Sequence, residues 1–400
     1  MMPPFRRSPM TPAMSRRSLL KLGASALSSV AAAPMIQRGR YLLFAGTPQE
    51  QEFSARAIKL VEESTVIDML APLSIVSERT SEWLRRPESF DEQEFRLYRS
   101  SGINVFHDTT GDGIADDAFT AMLLWAAQWN GFLAHHTGWF LRITTAEHLK
   151  EVNGSGKIGF LLGLQDSDHF RTLDDIDLFH GLGQRVSQLT YNSQNRIGTG
   201  CMDRRDGGLS DFGVDVVKRM NEVGMAVDLG HCGDQTTLDG IEASAKPPLI
   251  THTNARALVP GYPRNKTDDT FRKMAAKGGV AGMTAVRSFV HDSEPTTIEH
   301  LLDHFDHVAK LVGVEHVGIG TDTDIRGGYD AQSKDDWDRT GGRYRAQYRF
   351  REKIDMDGLN QPKRMYLITE GLIRRGYKDS DIALILGGNF QRVLSEIWTV

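Results

Sequence analysis

Cysteine is scarce: the 400-residue chain has two, Cys201 and Cys232, too few for a disulfide-dense scaffold or a four-thiolate zinc site. An excess of one charge is also missing. Lys and Arg number 47 against 52 Asp and Glu, a formal net charge of −5, and a chain without a basic surplus does not suit nucleic acid. The apolar run at residues 19–30 is too short to cross a bilayer of ~30 Å at 1.5 Å per residue, and no other stretch does better. There is no internal repeat and no low-complexity linker. What is left, 40% hydrophobic and 25% charged residues, is the composition of an ordinary globular protein.

At the start of the chain, Ser15-Arg16-Arg17-Ser18-Leu19-Leu20-Lys21 sets paired arginines before that apolar run, and Ala31-Ala32-Ala33 follows it. This pattern reads as a twin-arginine export signal cleaved near Ala33, with a short amphipathic helix or anchor as the alternative. The expected organisation is a signal over residues 1–33 and a single domain over 34–400. The expected destination is the periplasm or another place outside the cytoplasm, reached already folded through the twin-arginine export machinery.

Behind the signal, short β-branched runs at 65–68, 103–107, 158–165, 186–191, 226–231, 249–252, 280–284 and 316–322 alternate with longer amphipathic stretches. Residues 212–223 and 298–311 carry apolar side chains at helical spacing. Strands separated by helices imply a parallel sheet, and eight such units predict an α/β fold of the closed (β/α)8 type. A doubly wound sheet is disfavoured because no Gly-x-Gly-x-x-Gly follows the first strand. The stretch 379–398 predicts a closing pair of helices broken at Gly387-Gly388-Asn389.

Several runs end in residues that can bind a metal or move a proton: His107, Gln165, Tyr191, His231, His252 and Asp322. In a (β/α)8 barrel the carboxyl ends of the strands converge on one face, so these positions meet although the sequence separates them. His135, His136, His148, His180, His300, His304 and His307 fall in helical stretches, where a surface position is expected. His231 and His252 each close a run on successive strands, and two imidazoles so placed suit a zinc ion with open positions for water.

Longer motifs add to this. The stretches Gly208-Leu209-Ser210-Asp211-Phe212-Gly213 and Gly224-Met225-Ala226-Val227-Asp228-Leu229-Gly230-His231 are followed by Pro248-Leu249-Ile250-Thr251-His252-Thr253-Asn254 and Arg264-Asn265. Val317-Gly318-Ile319-Gly320-Thr321-Asp322, Thr369-Glu370-Gly371-Leu372 and Gly387-Gly388-Asn389-Phe390 come later in the same order. In these motifs the chain resembles the membrane dipeptidases, the renal-dipeptidase-like metallopeptidases, over most of its length after the signal. The resemblance implies a barrel holding two zinc ions bridged by a glutamate and a water. Within it, His231 and His252 match the histidines of the second zinc site, Asp322 an aspartate that binds the first zinc and handles a proton, and Arg264 the arginine that holds the substrate carboxylate.

Four positions depart from the family pattern. Leu70 and Pro72 stand where a His-x-Asp pair would complete the first zinc site, Gln165 where the bridging glutamate would be, and Tyr191 where a histidine would contact the reacting carbonyl. The expectation is therefore one zinc rather than two, on His231, His252 and Asp322 with Gln165 as a weak fourth ligand. Tyr191 becomes a candidate oxyanion donor, and His107 a candidate replacement ligand set against an ordinary polar role. Three readings follow: a hydrolase of dipeptides or small amides, a catalytically silent binding protein of the same fold, and an enzyme of lactone or amide tailoring. A homodimer is compatible with each. Cys201 and Cys232 fall in neighbouring loops, where a disulfide, a thiolate ligand and two inert thiols are all open.

Overall fold

The computed structural model describes residues 38–43, 49–110, 117–331 and 348–399. The chain separates into two units, 1–38 and 39–400; the expected export signal lies outside the described residues.

In the second unit eight parallel strands close into a barrel. They are β1 (Ile67–Asp68), β2 (Val105–Thr110), β3 (Ile158–Leu164), β4 (Gln184–Gln188), β5 (Ala226–Asp228), β6 (Leu249–Thr253), β7 (Val280–Met283) and β8 (Val317–Ile319). The hydrogen-bonded order runs β2, β1, β8, β7, β6, β5, β4, β3, and β3 returns to β2 with His107 opposite Leu161 and Thr109 opposite Gly163. A short strand that sequence did not announce, Phe140–Arg142, pairs with the first half of β3, while β4 pairs with its second half.

Side-chain alternation along the strands sorts two apolar layers. Ile67, Val105, Leu161, Val186, Ala226, Leu249 and Val280, one from each of seven strands, pack inside the barrel with Phe390 and Val393. The eighth strand offers Gly318 instead, and a Cβ there would lie 2.3 Å from the Phe390 ring, so the glycine makes room for the phenylalanine. The outward-facing Phe106, Phe160, Val227 and Ile250 pack into the larger cluster under the helices.

The predicted helices form with definite ends. Helix α1 (Asp211–Val223) starts at Ser210, whose Oγ accepts the Gly213 N–H at 3.0 Å, and ends at Gly224 in the left-handed region at φ 78°. Helix α2 (Ile298–Val312) opens with a capping box at Thr297. The expected break at 387–389 is present, and helix α3 (Asn389–Ile397) runs beyond it to close the amino end of the barrel.

Two expectations need correcting. His304 and His136 are buried rather than on the surface. His304 Nδ1 accepts the Ala255 N–H at 3.1 Å and Nε2 donates to Val290 O at 2.8 Å, while His136 Nε2 donates to Pro87 O at 2.7 Å. The strands expected at 226–231 and 316–322 stop at Asp228 and Ile319: one more N–H on each, Leu229 and Gly320, still donates across the sheet, and then carboxylates capture the backbone, Gly230 N–H donating to Asp228 Oδ1 and Thr321 N–H to Asp68 Oδ1.

Candidate metal-binding site at the carboxyl ends of the strands

The early strand ends free short segments to turn over the barrel mouth. His231 lies three residues past β5, His252 inside β6, Tyr191 three past β4, Gln165 directly after β3, and Asp322 three past β8. All six expected strand-end positions, His107 included, are at most intermediate in exposure, and His107, Gln165, His231, His252 and Asp322 are buried.

The two histidines meet. His231 Nε2 and His252 Nε2 are 2.9 Å apart, with the rings 53° from coplanar. Behind His252, Nδ1 lies 2.8 Å from Thr251 Oγ1, whose proton goes to Asp228 Oδ2 at 2.7 Å, so that Oγ1 accepts from Nδ1. Behind His231, Nδ1 lies 2.9 Å from Asn192 Oδ1. Each ring thus has an acceptor at Nδ1, the arrangement that leaves the lone pair on Nε2, and the two Nε2 atoms meet at hydrogen-bond distance, a contact that a shared proton or a cation bound to both nitrogens would bridge. Burial, followed by the nearby Arg264 charge, holds both imidazoles well below their ordinary pKa, so they stay neutral and available as ligands. Tyr191 stacks on His231 with ring centroids 4.1 Å apart.

Arg264 is fully buried. Nη1 donates to Gly230 O at 2.8 Å and Nη2 to His252 O at 2.9 Å, so the guanidinium ties together the two segments that carry the histidines, while its Nε–H has no acceptor. Asp322 takes φ 57°, unusual for a residue with a side chain, and is held there by its N–H on Leu70 O at 2.8 Å. Tyr329 Oη donates to Asp322 Oδ1 at 3.2 Å. Burial pushes the Asp322 carboxyl up to about 7, with Arg264 opposing and Asp68 and Asp355 adding to the rise. Gln165 is linked to the pair through Gln188, which donates from Nε2 to Gln165 O at 2.5 Å and accepts the His231 N–H on Oε1 at 3.2 Å.

The fit to a two-metal centre fails at the first site. Leu70 is buried and has no donor atom in its side chain, and His107 is not placed to serve as a ligand. Its Nδ1 donates to Met69 O at 2.6 Å, which leaves the lone pair on Nε2, and burial lowers its pKa to about 4. A Cβ added to Gly163 would stand 1.9 Å from that Nε2, 2.9 Å from Cδ2 and 3.0 Å from Cε1. That point is on the lone-pair axis at about the 2.0–2.1 Å of a zinc–imidazole bond, so an ion there would lie only a covalent bond length from the Gly163 Cα, too close to fit. Among the described residues no three His, Cys, Asp or Glu side chains are gathered to hold one ion; the structure brings together the two histidines and leaves Asp322 outside their group.

Other strand-end groups brace loops. Asp108 Oδ2 accepts the Leu73 N–H at 2.7 Å, and Asp166 Oδ1 accepts from Asn195 Nδ2 at 2.7 Å and from the Asp168 N–H at 3.0 Å. Cys201 and Cys232 are free, buried thiols, which burial holds above the ordinary thiol pKa. Sequence reasoning passed over Asn192, Gln188, Thr251 and Tyr348. Asn192 and Thr251 adjoin residues that it named; Tyr348, far along the chain, gave no signal.

The sequence model of the membrane dipeptidase family (Peptidase family M19) matches residues 91–335. Dipeptidase verJ of Clonostachys rogersoniana is 30% identical over 257 residues, which cover 63% of this chain and 59% of that protein. Dipeptidase 3 of Rattus norvegicus is 28% identical over 262 residues, covering 64% and 48%. The chain thus spans about half the length of the curated relatives it matches. Among solved structures, an amidohydrolase from Pseudomonas aeruginosa superposes with a TM-score of 0.71 at 26% identity, over 86% of this chain and 99% of that one.

Proposed function

Because the chain belongs to the membrane dipeptidase family, we propose that it is an exported hydrolase of dipeptides or other small amides with a free carboxylate, working with one zinc ion rather than two. The observation that carries this reading is the meeting of His231 Nε2 and His252 Nε2 at 2.9 Å, each ring held from its Nδ1 side by an oxygen. His231 and His252 would hold the ion, with Gln165 as a candidate oxygen donor, and it would supply Lewis-acid polarisation of the amide carbonyl and a bound water of lowered pKa.

The chain's own residues supply the rest. The unpaired Nε–H of Arg264, buried beside the histidines, is a donor suited to the carboxylate end of a substrate. Asp322, whose carboxyl is pushed up to about 7, exchanges a proton near neutral pH, as a group serving in turn as base and acid must. Tyr191, lying flat on His231, offers a hydroxyl to a carbonyl oxygen that gains charge. Export rests on the paired arginines Arg16 and Arg17 ahead of the apolar run.

A second reading, a silent binding protein in the same cleft, draws on Leu70, Pro72 and the blocked lone pair of His107. Assays of the zinc-loaded protein on dipeptides with free and amidated carboxyl ends separate the two. The hydrolase reading expects chelator-sensitive cleavage of the free acids and little of the amides. A zinc-bound protein that leaves every peptide intact moves the assignment to binding.

A further inference from the structure

The His231 imidazole is held from behind by more than a single hydrogen bond. Asn192 Oδ1, 2.9 Å from His231 Nδ1, also accepts from Tyr348 Oη at 2.5 Å and from Cys201 Sγ at 3.6 Å, and Tyr348 Oη itself stands 3.2 Å from His231 Nδ1. Donors converge on one amide oxygen while the buried Nδ2 of the same amide has no partner. That imbalance fixes the amide. Turned over, it would point its N–H groups at the Tyr348 and Cys201 donors and bury a carbonyl with nothing to accept. With the oxygen toward the ring, and with the Tyr348 proton given to that oxygen, both neighbours of His231 Nδ1 are acceptors.

Tyr348 is held in place by packing. Its ring lies 5.2 Å from Phe289 and 5.0 Å from Phe350, and Tyr262 Oη donates to its backbone carbonyl. The phenol therefore reaches Asn192, 156 residues away in sequence, from a fixed position.

We propose that Asn192 and Tyr348 are positioning residues that set the His231 tautomer, keeping the proton on Nδ1 and presenting the Nε2 lone pair to His252 for a divalent cation. This rests on the reading of the two histidines as a metal pair. Tyr348 orients the amide, the amide orients the proton, and the proton decides whether His231 is a ligand or a donor.

The test uses the full domain labelled with 15N-histidine, as wild type, Asn192→Ala, Asn192→Asp and Tyr348→Phe. Long-range proton–nitrogen spectra of the metal-free protein report which ring nitrogen of His231 carries the proton, and calorimetric titration with zinc reports affinity. The proposal expects an Nδ1–H form in wild type and in Asn192→Asp, whose carboxylate keeps the acceptor. It expects the Nε2–H form to emerge in Asn192→Ala and Tyr348→Phe, with zinc affinity lower by about 10–100-fold. An Nε2–H form in wild type, or an unchanged tautomer in both Asn192→Ala and Tyr348→Phe, overturns it. A wild type that takes up no zinc defeats the single-metal reading, and the nitrogen spectra still decide the tautomer claim.

Discussion

A glycine decides what His107 can do. Gly163 sits opposite Thr109 across the β2–β3 pair, and the His107 ring fills the space that a side chain at 163 would take. The imidazole is neutral, buried and bonded through Nδ1, features it shares with a metal ligand, yet its free lone pair ends on backbone. Gly163→Ala should therefore push the ring from its place and cost about 1–3 kcal/mol, a fall of several degrees in Tm, while leaving zinc uptake at His231 and His252 unchanged. A loss of zinc in that variant, measured on folded protein, would put His107 in the metal site. His231 and His252 were legible in sequence because each closes an apolar run on successive strands, and a ligand at a strand end needs only its neighbours to be recognised. Neither Asn192 nor Tyr348 was legible as part of the site. Their role depends on the direction of an amide and on a phenol brought from the far side of the chain, and no local pattern encodes either.

Strand ends are set by a device that occurs twice. Asp68 at the end of β1 accepts the N–H of Leu70 and, from β8, the N–H and Oγ1–H of Thr321; Asp228 at the end of β5 accepts the N–H of Gly230 and, from β6, the N–H and Oγ1–H of Thr251. Each carboxylate stops a strand and ties it to a neighbour, and at β5 and β6 the strands so tied carry the two histidines. The order of the strands could be read from apolar periodicity, but their ends could not, because the periodicity continues past the point where a side chain replaces the ladder. The two copies differ in charge: Asp68 pairs with Arg364 at 2.9 Å and both side chains are fully buried. Asp68→Asn, by leaving that guanidinium without its counter-charge, should cost about 3–5 kcal/mol in urea denaturation. Adding Arg364→Met should restore part of the loss, and strictly additive losses in the double variant would contradict the pairing.

At the scale of the molecule, eight strands and the helices between them close a barrel, as the alternation of apolar runs predicted, and at its mouth His231 and His252 meet. The family barrel persists, with Leu70 and Pro72 following its first strand and the His107 ring closed off against Gly163. Two histidines, braced by Asn192, Thr251 and Arg264, form the pair that we propose as the seat of one ion. Elemental analysis of the folded domain, purified without chelator and dialysed against zinc, tests this most directly. The account predicts one zinc per chain, lost in His231→Ala and in His252→Ala; two zinc ions per chain, or one that survives both substitutions, would contradict it.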